Sequence, residues 1–123
     1  PTNSLKFQNK VDFIYVSGSG PIQPALSAII VAAEKMQIPI INFDESPVRD
    51  NQVLASFGVD CHRIGLHTGA LVARVLKGEE ISQIKPIYPG SGDHTGAISQ
   101  LVARKNNIKI PEKINIPNII IIE

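Results

Sequence analysis

Residues 11–44 constrain the fold more than any other stretch of this chain. They open with Val11, Asp12, Phe13, Ile14, Tyr15 and Val16, a short apolar run rich in β-branched and aromatic side chains, as expected of a strand buried on both faces. Ser17, Gly18, Ser19 and Gly20 follow as a small-residue breaker, then a helical pattern, then a second apolar run that ends before Asp44. The connection is too long for a hairpin, so the two strands are expected to lie parallel and adjacent, joined by a crossover helix. That arrangement bears on the loop. Backbone N–H groups at the start of a helix, behind a Gly-rich turn, form a seat for an anion or a ligand carboxylate.

The rest of the chain repeats the alternation. The first helix is predicted over residues 22–36, where Leu26, Ile29, Ile30, Ala33 and Met36 recur at three- and four-residue spacing. Pro21 and Pro24 are tolerable there only because they fall near the first turn. Residues 1–10 read as a polar lead-in, and residues 45–52, with Pro47, as a surface loop. Residues 53–57 predict a third strand closed by Gly58. Asp60 is placed to cap a helix over residues 61–76, which Gly78 ends in a left-handed conformation. Gly65 and Gly69 recur along that helix, on a line where another backbone can approach closely. Each costs up to about 1 kcal/mol of helix propensity against alanine. Residues 84–88 predict a fourth strand and residues 89–92 a turn. A last helix is expected from Asp93 to about Asn106, with Asn107 as its stop. The isoleucine run at residues 119–122 reads as an edge strand in need of cover. Strands alternating with helices predict an α/β three-layer sandwich with a mostly parallel sheet of four to five strands. In such sheets ligands sit outside the carboxyl ends of the strands, which here means residues 17–20, 44–51, 58–60 and 89–94.

Composition narrows the function classes. With 123 residues the chain holds one domain with a real core and not two. A net charge of +1, with Lys and Arg scattered and no Trp, gives no footprint for nucleic acid or an anionic membrane. No apolar run approaches the roughly 20 residues that span a bilayer. A start at Pro1 rather than Met is read as a processed or partial chain. His62 and His67 lie about 140° apart around their helix, so they do not converge on a metal; with His94 they are expected to be exposed or locally bonded. Cys61 sits in a first helical turn, where the dipole lowers a thiol pKa, but no partner is fixed by spacing and a small buried or half-buried filler is expected. Asp12 falls at the wrong end of its strand for a site. Asp44 is well placed, directly after the second strand.

The ordered pieces together resemble one family. The run from Val11 to Val16, Ala32-Ala33 leading to Ile38-Pro39-Ile40, then Gly58-Val59-Asp60, Gly65, Thr68-Gly69 and Val75-Leu76-Lys77-Gly78 are similar to the ABC-transporter substrate-binding proteins of the tryptophan/tyrosine-type group, which share the type I periplasmic-binding-protein fold. The resemblance covers residues 5–111 and implies that residues 1–123 form a single lobe, the C-terminal one, with the N-terminal lobe absent. It implies capture of a small solute, such as an aromatic amino acid, between two lobes that close about a hinge. It also implies a periplasmic or cell-surface location, an ABC permease as partner, no cofactor and no catalytic residue. The family's ligand-facing loops fall on Ser17, Gly18, Ser19, Gly20, Asn42, Phe43, Asp44 and Ser46, with Tyr88 as a further apolar contact. Ser19 stands where the family usually has Asp, and Phe43 where it has Ser or Ala. Two alternatives stay open from the residues: the effector-binding lobe of a transcriptional repressor, and a small α/β enzyme using Cys61 or His62.

Overall fold

The crossover unit forms where its sequence pattern puts it. A computed structural model describes residues 4–8, 10–116 and 118–123; the polar lead-in expected over residues 1–10 therefore lies partly outside the described residues. Strand β1 is Ile14–Val16, helix α1 is Leu26–Met36 and strand β2 is Ile40–Asn42. The two strands pair in parallel, with Ile14 opposite Ile40 and Val16 opposite Asn42. A 3-10 turn at Gln23–Ala25 holds Pro24, so the α-helix begins later than its apolar pattern suggests. Gln37 ends it in the left-handed region at φ 54°.

The remaining elements are α2 (Ser46–Arg49), β3 (Ala55–Val59), α3 (Cys61–Leu76), β4 (His94–Ser99), α4 (Gln100–Lys105) and β5 (Ile119–Ile122). The sheet runs in the order β1-β2-β3-β4-β5. Only the β3–β4 pair is antiparallel. The mostly parallel α/β sheet is as expected, and several local assignments are corrected. The third strand is shifted to Ala55–Val59, so Gly58 lies inside it rather than closing it. Residues 84–88 form no strand. The segment expected as one helix from Asp93 is a strand followed by a short helix, whose cap is Ser99: its Oγ accepts the Val102 N–H at 3.0 Å. Pairing of this segment with strands on both sides outweighs its local helical pattern, a common outcome for strand propensity. In the expected loop at 45–52, α2 forms and buries Pro47 and Val48.

The core is one-sided. Val16, Ile40, Val53 and Ala97 of the sheet side meet Ala33 of α1 and Val48 of α2, with Leu26, Ile29 and Ile30 packed around them. Strand side chains alternate, so the intervening residues point the other way. There Tyr15 and Ile121 are 55% and 52% exposed, and Phe57 is exposed as well. Helix α3 contributes no buried residue. The layer expected on that second face is therefore not filled by a described helix.

Two glycine substitutions are expected to move stability in opposite directions. A Cβ at Gly96 would lie 2.6 Å from Ile119 Cδ1 and 2.8 Å from the Ser56 carbonyl oxygen, so Gly96→Ala should cost about 1–3 kcal/mol. At Gly69 nothing lies within 4 Å, and Gly69→Ala in a helix interior should gain up to about 1 kcal/mol. Urea midpoints of the two variants check this; shifts of the same sign contradict the packing described.

Candidate functional site

Parallel register sets the geometry of the rim. Val16 pairs with Asn42, and Asn42 with Ser56, so the loops after β1 and β2 and the last turn of β3 emerge along one edge of the sheet. Because β4 runs the other way, with Val59 opposite His94, its first residues reach the same edge. Ser19 and Asp44 accordingly lie in neighbouring loops at the carboxyl ends of adjacent strands.

Phe43 is the wedge between these loops. Its N–H donates to the Val16 carbonyl at 3.2 Å. Its carbonyl oxygen lies 2.1 Å from where a Cβ at Gly58 would be, a distance that no side chain tolerates. Its ring approaches to 3.3 Å from the Cβ position of Gly18. Asp44 then turns the chain: its Oδ1 accepts the Ser46 N–H at 3.3 Å and the Ser46 hydroxyl at 3.2 Å. Asn42, fully buried beneath this turn, donates from Nδ2 to the Asp44 carbonyl at 3.2 Å. Its Oδ1 is buried with no partner among the described residues.

A cavity of about 280 Å³ opens at this edge, lined by Phe43, Asp44, Glu45, Ser46, Ser56, Gly58, Val59, Asp60, Cys61, His62 and Thr95. Of the ligand-facing residues that the resemblance implied it brings together three, Phe43, Asp44 and Ser46, and Cys61 and His62 line it as well. Asn42 supports it from below. Ser17, Gly18, Ser19 and Gly20 are not among its lining, and of the four Gly18 lies against the Phe43 ring instead. Their loop is closed by its own bonds. The Ser19 carbonyl accepts the Ile22 and Gln23 N–H groups at 3.0 and 3.2 Å, and Gln23 Nε2 donates to the Ser17 carbonyl at 3.1 Å. Two of the amides expected to form a ligand seat behind the Gly-rich turn are thus used within the loop. Tyr88 does not line the cavity and is 80% exposed. Glu45 lies in the 44–51 loop expected at this edge, whereas sequence reasoning missed Ser56 as a lining residue, and Thr95 too, because that segment reads locally as helix.

The connection from β3 to β4 starts and ends at the rim. Asp60 caps α3 by accepting the His62 and Arg63 N–H groups at 2.9 and 3.2 Å. Its own N–H donates to the Asp93 carbonyl at 2.8 Å. The Asp93 side chain meets His67 Nε2 at 3.0 Å and accepts the Gly90 N–H at 2.8 Å. His94 bonds the Gly90 carbonyl through Nδ1 at 2.8 Å and stacks on Phe57 with ring centroids 5.4 Å apart. His94 is thus locally bonded, as expected, whereas His67 bonds a partner 26 residues away. Among the described residues no cluster of His, Cys, Asp or Glu has metal-binding geometry. Cys61 is exposed, not the buried or half-buried filler expected, and its thiol approaches only the Val59 carbonyl, at 4.0 Å. Among the described residues no carboxylate or imidazole hydrogen-bonds to it.

The second described hollow near the core lies at the opposite pole. It measures about 260 Å³ and is bounded by Gln37, Pro39, Asn51, Gln52, Lys105 and Asn106, where the strands begin. Ligands of open α/β sheets sit at the carboxyl edge, which favours the Phe43 rim.

A family model for ABC transporter substrate binding proteins matches residues 3–118. The chain belongs to that family. No curated protein is a significant match. Among solved structures, a conserved domain protein from Vibrio cholerae O1 biovar El Tor is 28% identical with a TM-score of 0.72, over 90% of this chain and 36% of that one. The ABC domain from Streptococcus pneumoniae in complex with L-Trp is 25% identical with a TM-score of 0.75, over 97% and 41%. CD0873 from Clostridium difficile, a substrate-binding protein with adhesive properties in its ligand-free, open form, shares the fold at 21% identity and a TM-score of 0.69, over 99% and 40%. The chain thus spans between 36% and 41% of the length of these relatives.

The Asp93 clasp makes a pH prediction. The His67 hydrogen bond first, then the Gly90 N–H, hold the Asp93 carboxyl below its ordinary range; desolvation opposes them, and the nearby charges of His67 and Arg63 add smaller pulls in the same direction. A carboxyl depressed in the folded state contributes stability above its unfolded value and loses it as pH falls through the folded one. Acid should therefore weaken the wild-type chain more steeply than Asp93→Asn, as read from urea midpoints across the acid range. Equal slopes contradict the clasp.

Proposed function

We propose that this chain is the C-terminal lobe of the solute-binding component of an ABC importer, and that it captures a small molecule such as an amino acid at the Phe43 rim. The second lobe would close over that rim, and the loaded protein would hand its solute to a permease. One observation carries the reading: Asp44 and Ser46 share a cavity with the apolar surfaces of Phe43 and Val59 at the carboxyl edge of the sheet. An amino acid matches that mixture. Its ammonium group suits the Asp44 carboxylate, and an apolar or aromatic side chain suits the Phe43 ring. Its carboxylate would turn toward the hydroxyls of Ser17 and Ser19 in the neighbouring loop. The Streptococcus pneumoniae relative, solved with L-Trp, supports an aromatic amino acid as the first solute to test. Family membership supports a periplasmic or cell-surface location. No chemical transformation is assigned to the site.

One lobe offers half a cleft, so the isolated chain should bind L-Trp with a Kd on the order of 1 mM, equivalent to about 4 kcal/mol. Asp44→Asn should weaken binding about tenfold by removing a charge-assisted hydrogen bond. Isothermal titration measures both. Nanomolar affinity in the isolated chain, or an Asp44→Asn variant that binds as wild type does, contradicts the assignment.

A further inference from the structure

Charge at the Phe43 rim does not balance. Three carboxylates line the cavity, on Asp44, Glu45 and Asp60, and among the described residues no Lys or Arg lines it. Two of the three already hold an arginine of the chain. Glu45 Oε1 meets Arg49 Nε at 3.1 Å, and Asp60 Oδ2 lies 3.6 Å from Arg63 Nε. Asp44 differs. Its Oδ1 accepts from the Ser46 N–H and hydroxyl, both neutral groups, and among the described residues it has no cationic partner. Asn42 beneath it donates to the Asp44 backbone carbonyl and not to the carboxylate. The residue is half-buried, so salt screens its charge less than it would a fully exposed one.

The same edge keeps little for an anion. The start of α3 lines the cavity through Cys61 and His62, and helix starts attract negative charge. Here Asp60 takes that place, accepting the His62 and Arg63 N–H groups at 2.9 and 3.2 Å. At α2 the Ser46 N–H goes to Asp44, Pro47 has none, and the Val48 N–H goes to the Glu45 carbonyl at 2.9 Å. The amides of Ile22 and Gln23, behind the Gly-rich turn, are held by the Ser19 carbonyl. Of the lining hydroxyls, Ser46 donates to Asp44 and Thr95 to the Asn118 carbonyl. Among the polar lining side chains that leaves the Ser56 hydroxyl and the His62 ring.

We infer that this rim selects an organic ammonium that carries no carboxylate, an aromatic amine in preference to the amino acid itself. The assignment rests on the solute-binding reading above and narrows its solute class. The ammonium group balances Asp44, and the ring lies against the apolar surfaces of Phe43 and Val59. An amino acid brings the same two features. It also sets a further carboxylate beside Asp44, Glu45 and Asp60, where both nearby arginines and the helix-start amides are already engaged, so repulsion offsets part of the gain.

Titration calorimetry of the chain with tryptamine, L-Trp and indole-3-propionate tests this, because the three share one ring and differ in their charged groups. Tryptamine should bind about tenfold tighter than L-Trp, and indole-3-propionate more weakly than either. Added salt should narrow the gap between tryptamine and L-Trp. Asp44→Asn should weaken tryptamine more than it weakens L-Trp. L-Trp or indole-3-propionate binding as tightly as tryptamine overturns the inference, and so does a tryptamine preference that Asp44→Asn leaves unchanged. Amide shifts separate this claim from the one beneath it. L-Trp that moves residues 43–46 without a tryptamine preference refutes the amine selection alone. If none of the three ligands moves those residues, the solute-binding assignment of the rim falls, and the amine selection with it.

Discussion

The approach of the Phe43 carbonyl to Gly58 is the contact on which the rim depends. With the carbonyl oxygen 2.1 Å from the position a Cβ would take, residue 58 has room for hydrogen only. This lets the chain leaving β2 lie directly across the last turn of β3. From there the Phe43 ring falls over Gly18, Asp44 turns onto Ser46, and Asn42 is sealed beneath with its amide bonded to the Asp44 carbonyl. Any larger residue at 58 would lift this loop and open the cavity. The parallel register of β1, β2 and β3 brings the loops to one edge; the glycine brings them into contact.

How much of this was legible in the sequence follows from where local signals are sufficient. The crossover unit was readable because its strands are short apolar runs and its helix has a clear stripe, and Asp60, Gly78 and Asn107 mark helix ends by cap and turn chemistry that needs no tertiary partner. Gly78 and Asn107 do take left-handed values, φ 89° and 55°. The stretch after Asp93 misled because Ile98, Leu101 and Val102 carry a helical spacing, whereas its fate was settled by pairing with β3 and β5 far away in sequence. Site legibility divides the same way. Phe43, Asp44 and Ser46 follow directly from the end of β2, but Thr95 reaches the cavity only because β4 is antiparallel to β3. The bonds that close the 17–20 loop on itself have no sequence signature.

Placing α3 outside the core also accounts for the fold's imbalance. The sheet is packed on one face by α1 and α2, while Tyr15, Phe57 and Ile121 remain exposed on the other. An amphipathic helix of this length would ordinarily help to cover such a sheet. Here it is tethered at the rim through Asp60, His67 and Asp93 and keeps its apolar side turned away from its own core.

The most direct test of the central claim, that the carboxyl edge around Phe43 is the solute-binding surface, is a residue-resolved NMR titration of the chain with L-Trp. Amide shifts are expected at residues 43–46, 58–62 and 95, with residues 37–39, 51–52 and 105–106 at the opposite pole silent. Shifts centred on that opposite pole, with the Phe43 rim unmoved, would contradict it.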